Sequence, residues 1–121
     1  MSCSYDNSAR RNALTGDSIE AVTALLMLSI RARNLRDMDF FSKSDPMCVV
    51  YVKPFGQTDA WEELMRTECI QNNLNPQFAK KVRISYFFAE QQHLKFEMYD
   101  VDSMTDSLSE HDFIGQVTCT L

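Results

Sequence analysis

The sequence predicts an all-β domain, an antiparallel β-sandwich. Three observations carry that expectation. Apolar residues alternate with period two in successive stretches, clusters of turn-forming residues separate the stretches, and none of them carries a clear helical stripe. The length of 121 residues fits one domain, and 45% hydrophobic with 24% charged residues suffices for a core.

Residues 1–20 are small and polar without periodicity, and they read as a flexible tail preceding a domain over 21–121. Over 21–33, Val22, Ala24, Leu26, Leu28, Ile30 and Ala32 share one face, and Ser29, Arg31 and Arg33 the other. That is a strand with one buried face, although Leu25 and Met27 extend its apolar character to both sides. Residues 34–46 form a loop that Pro46 terminates by biasing Asp45 to an extended backbone. The β-branched and aromatic run 47–53 is a strand. Gly56, Gln57, Thr58 and Asp59 make a turn.

Residues 61–70 fit two periods: Trp61, Leu64 and Met65 suit a helix, whereas Trp61, Glu63, Met65, Thr67 and Cys69 suit a strand. Asn72, Asn73, Asn75 and Pro76 signal a turn. Over 78–88, Val82, Ile84, Tyr86 and Phe88 share a face. Leu94, Phe96 and Met98 do so over 94–99, and Val117, Cys119 and Leu121 over 113–121.

The net charge is −5, which disfavours nucleic acid as a partner. Eight of the 17 acids lie within 37–45 and 100–112. At 5 Å and an effective dielectric of 20, each like-charge pair repels by about 3 kcal/mol. A sandwich gathers loops at its ends. If loops 34–46 and 100–112 share an end, a cation offsets that repulsion. Asp100 and Asp102 at a strand end place two carboxylates roughly 7 Å apart on one face. Hard oxygen donors without histidine or cysteine favour calcium or magnesium over zinc. An EF-hand does not fit, because Met104, Thr105 and His111 stand at positions five, six and twelve counted from Asp100.

Cys3, Cys48, Cys69 and Cys119 follow no zinc or disulfide spacing, and they predict free thiols in a reducing, cytoplasmic setting. Ser2 stands where N-myristoylation requires glycine. Neither His93 nor His111 joins a nucleophile, and a non-catalytic protein is expected.

Three segments carry a family resemblance: Asn34-Leu35 with Asp39 and Ser44-Asp45-Pro46, then Asn73-Leu74-Asn75-Pro76-Gln77-Phe78, then Phe96 to Asp102 with Asp112-Phe113-Ile114-Gly115. Together they resemble the C2 domain, a Greek-key β-sandwich that binds phospholipid in response to calcium. Ser42-Lys43-Ser44-Asp45-Pro46, Val49-Val50-Tyr51, Arg66-Thr67-Glu68 and the ending Thr118-Cys119-Thr120-Leu121 are similar to the first such domain of copines. The resemblance covers about residues 22–121. It implies that C-terminal strands are missing, as in an N-terminal fragment or a truncated gene product.

The resemblance further implies calcium ligation by Asp39, Asp45, Asp100, Asp102 and Asp112, leaving Asp37 a plain loop acid. The long interval from Asp102 to Asp112 leaves the roles of Asp106, Ser109 and Glu110 open. Phe40, Phe41, Met104 and Leu108 are apolar residues in charged loops, suited either to tucking inward or to entering a lipid surface. Lys80, Lys81 and Arg83 form either a basic lipid patch or a solvated strand face. The implied function is calcium-dependent docking on anionic phospholipid membranes, with recruitment from the cytoplasm to the plasma membrane or other membranes when calcium rises. The rival is a calcium-independent sandwich that binds a protein partner.

Overall fold

The computed structural model describes residues 2–5, 10–11, 23–37, 43–53, 60–88 and 91–121. Among these residues eight strands follow in order: β1 (Ser2–Tyr5), β2 (Arg10–Arg11), β3 (Thr23–Arg31), β4 (Pro46–Val52), β5 (Glu62–Arg66), β6 (Val82–Phe87), β7 (His93–Asp100) and β8 (Asp112–Thr120). Among the described residues the only helical element is a 3₁₀ turn, Leu108–Glu110.

The strands form two antiparallel sheets. In the first, β3 lies between β6 on one edge and β1 with β2 on the other; Leu28 pairs with both Tyr5 and Val82. β1 and β2 lie within the segment expected to be a flexible tail, so strand pairing reaches into it, because β3 offers them an edge of unpaired backbone groups. The second sheet runs β5-β4-β7-β8.

The faces follow the sequence period. Leu28, Ile30, Ala32, Cys48, Val50, Val82, Leu94, Phe96, Met98 and Ile114 are buried between the sheets, with Leu26, Val52, Ile84, Val117 and Cys119 packed at the margin. Within the ambiguous stretch 61–70, residues 62–66 resolve as strand and none as helix: β4 offers β5 a ladder from Val49↔Arg66 to Val52↔Glu62, with a bulge after Val50. Tertiary pairing outweighs the helical stripe, and Leu64 is left exposed. Phe88, expected on the core face, is exposed beyond the end of β6 and meets Tyr86 edge to face at 4.8 Å. Residues 78–81 are not strand, because Ala79 N–H and Lys80 N–H donate to the Glu68 carboxylate at 2.6 and 3.2 Å rather than to a neighbouring strand.

The outer face of the second sheet carries its own lattice. Lys95 Nζ lies 3.3 Å from Glu97 and 4.7 and 5.1 Å from the ring centroids of Tyr51 and Trp61. Tyr99 Oη–H donates to Glu97 at 2.8 Å. Val49 beneath this face is fully buried, although its parity points away from the central core.

Candidate metal centre

The site is assembled at the pole where β3 ends, β4 begins, β7 ends and β8 begins. On β7, positions 94, 96, 98 and 100 all face inward, so the parity that buries Phe96 and Met98 also buries Asp100, at 0% exposure. A buried carboxylate is costly unless polar groups receive it. Here Asp100 Oδ1 accepts the Asp45 N–H at 2.9 Å. Val101 N–H returns to Asp45 O at 3.0 Å, so the 43–46 segment is clamped onto the end of β7.

A second clamp holds the other side of that segment. Asn73 N–H donates to Ser44 O and Ile70 N–H to Pro46 O, each at 3.0 Å. Asn72 takes a left-handed backbone, φ 50°, which asparagine tolerates, and its N–H donates to Asp45 Oδ1 at 2.7 Å. Asn34, φ 54°, makes the equivalent turn after β3, and its N–H donates to Asn75 Oδ1 at 2.9 Å. The asparagine-rich turn is therefore the base on which the loop before β4 rests.

Asp100, Asp102 and Asp112 converge, each offering a carboxylate oxygen such that all three atoms lie within 4.8 Å of one another. Calcium–oxygen distances of about 2.3–2.6 Å put oxygens on opposite sides of one ion about 4.6–5.2 Å apart. The three carboxylates thus fit one hard divalent cation as they stand, and their donor chemistry suits calcium. Asp102 and Asp112 are exposed, so solvent or an external oxygen ligand reaches the remaining positions. Desolvation and then the Asp45 and Asp100 carboxylates push the Cys69 thiol above its usual range, a measure of the negative field at this pole.

Of the five aspartates expected as ligands, three come together. Asp45 reaches the site through its backbone, while its Oδ1 is engaged by Asn72. Asp39, with Phe40 and Phe41, lies outside the described residues. Met104 is fully exposed at 108%, whereas Leu108 is half-buried in the 3₁₀ turn. Lys80, Lys81 and Arg83 are exposed, and Glu68 lies against the first of them. Backbone N–H groups of Ala79 and Lys80 overcome the desolvation of Glu68 and hold its carboxyl below the usual range.

His111 is a residue whose role sequence reasoning missed. It is buried; its Nδ1 accepts Asp102 N–H at 3.2 Å, and its Nε2 lies 3.0 Å from Thr105 O. An acceptor at Nδ1 and a donor at Nε2 define the neutral tautomer. The ring thereby braces the turn that carries Asp102. No local pattern signalled this, because the partners lie six and nine residues away across an irregular loop.

Comparison with known proteins agrees with this architecture. The C2 domain family matches over residues 24–121. Nicotinic receptor-associated protein 1 of Caenorhabditis elegans is 46% identical over 110 residues, covering 78% of this chain and 17% of the relative. The chain thus spans less than a fifth of that relative's length. Among solved structures, BON1-C2B superposes with a TM-score of 0.60 at 28% identity, covering 85% of this chain and 70% of that one. A C2 domain of a plant Extended Synaptotagmin 1 gives 0.56 at 20% identity, covering 79% and 66%.

Proposed function

From the premise that the chain belongs to the C2 domain family, we propose that it is a non-catalytic, calcium-dependent module that docks on anionic phospholipid membranes through its acidic pole. The observation that carries this reading is the convergence of Asp100, Asp102 and Asp112 within 4.8 Å. Without metal, three carboxylates repel an anionic surface. A calcium ion held between them offsets two of the three negative charges, and lipid phosphate oxygens complete its coordination. Asp100 anchors the ion from the buried side, Asp102 closes on it from the loop and Asp112 from the start of β8, and His111 braces Asp102. Asp45 and Asp39 are the further ligands in this proposal. Met104, Leu108, Phe40 and Phe41 enter the interface, and Lys80, Lys81 and Arg83 add a basic contact. The role is copine-like: recruitment from the cytoplasm to the plasma membrane or other membranes when calcium rises.

Co-sedimentation with phosphatidylserine vesicles tests the proposal. Binding in calcium, none in chelator and none for Asp102→Asn is the expected pattern. Equal binding in chelator contradicts it. A second reading, a calcium-independent sandwich that binds a protein, draws support from the name of the curated relative, which describes association with a receptor. Protein capture that survives both chelator and Asp102→Asn favours that alternative.

A further inference from the structure

Beside the aspartate cluster the structure forms a cleft of about 230 Å³ between the end of β3 and the start of β8. Among the described residues, Arg33 and Arg36 are the charged ones lining it, Asn34 and Gln116 add carboxamides, and no carboxylate lines it. That volume lies below the roughly 300–1,000 Å³ of sites for drug-sized ligands, so it suits one compact group.

Arg36 is built into the fold at both ends. Ser44 Oγ–H donates to its carbonyl at 3.0 Å, and Ser44 is itself fully buried. At the other end, Arg36 Nη2 donates to Ile114 O at 2.5 Å. A guanidinium has five N–H donors in a rigid fork, and Ile114 O takes one of them. Arg33 is exposed, and among the described residues no carboxylate pairs with it. Two guanidiniums, one of them fixed in place, with no acid among the described residues of the cleft, are suited to bidentate recognition of a phosphoryl group.

We propose that this cleft is an anion site for a phosphoryl group, supplied by a lipid headgroup or by free phosphate. Its floor at Ile114 lies two residues along β8 from Asp112, so the anion sits on the flank of the metal cluster. The field of the aspartates opposes an anion there, and a divalent cation among them relieves it. Metal and phosphoryl group therefore raise each other's affinity by the same factor. The arginine site itself does not rest on the calcium reading; its use at a membrane does.

The test has two arms. In chelator, inorganic phosphate is titrated into the protein and followed by the arginine Nε–H and Gly115 N–H resonances, with chloride at matched ionic strength as the control. Saturable shifts at Arg33, Arg36 and Gly115, lost in Arg33→Gln, are expected; shifts no larger than those from chloride, or unchanged in the variant, overturn the site. In the second arm, vesicles of phosphatidylcholine with phosphatidic acid are bound at millimolar calcium. Removing one interfacial arginine lowers affinity by about fivefold. Arg33→Gln is expected to show this loss, Arg33→Lys to keep part of the binding, and Lys53→Gln, at the end of β4 opposite the aspartates, to change affinity less than twofold. Equal losses in Arg33→Gln and Lys53→Gln reduce the effect to general charge and overturn the lipid role of the cleft. Phosphate binding without vesicle binding identifies free phosphate as the source and removes the membrane reading alone. Vesicle binding without phosphate shifts removes the cleft and leaves calcium docking standing.

Discussion

Replacing Asp102 by asparagine separates metal binding from ordinary structural support, because the two predict opposite signs. The carboxylate oxygens of Asp100, Asp102 and Asp112 lie within 4.8 Å of one another. At that distance a like-charge pair repels by about 3.5 kcal/mol at an effective dielectric of 20 and by about 0.9 kcal/mol in bulk water. Asp102 is exposed, so the lower figure governs for each of its two pairs, and Asp102→Asn in chelator is expected to raise stability by up to about 2 kcal/mol. Wild-type protein at one hundred times its calcium Kd gains about 2.7 kcal/mol, or about 10 °C in Tm for a domain of this size. If the substitution weakens affinity about a hundredfold, the same calcium concentration adds only about 0.4 kcal/mol. Calorimetric melting of both proteins in chelator and in calcium reads all four states. A variant less stable than wild type in chelator, or equally stabilised by calcium, refutes the reasoning.

Thr67→Val is expected to cost about 1–3 kcal/mol in urea denaturation. Thr67 Oγ1 accepts the buried Cys48 N–H at 2.9 Å, and valine leaves that donor unsatisfied. Desolvation, then Glu97, pushes the Tyr51 phenol up to about 12. Because this folded value is raised, the associated stability is intact below the ordinary value of 10 and is lost as pH rises toward about 12; absorbance titration with Glu97→Gln checks it through a lower midpoint. Met104→Gln, at a fully exposed position, is expected to leave Tm within about 1 °C while weakening calcium-dependent vesicle binding severalfold.

The strands were largely legible because burial on one face imposes a period of two, and that period is written locally. Leu94, Phe96 and Met98 on β7, or Leu28 and Ile30 on β3, needed no knowledge of their partners. Where local signals conflicted, at residues 61–70, only the free edge of β4 decided between helix and strand. Phe88 was misplaced because periodicity does not mark where a strand stops.

The acidic pole divides in the same way. Sequence alone determined that carboxylates cluster in two stretches, of which 100–112 carries no lysine or arginine, and that strand parity aligns Asp100 with the core residues of β7. Only tertiary structure decided which carboxylates meet. Asp112 joins Asp100 because β8 pairs back onto β7 in the register Asp100↔Asp112, while Asp45 turns its Oδ1 to Asn72. The bracing of Asp102 by His111 and the fixing of Arg36 between Ser44 and Ile114 are likewise invisible in one dimension. Periodicity records which side of a strand a residue faces, but hydrogen bonds across 8 to 78 residues depend on how separate segments are brought together, and that is a property of the folded chain.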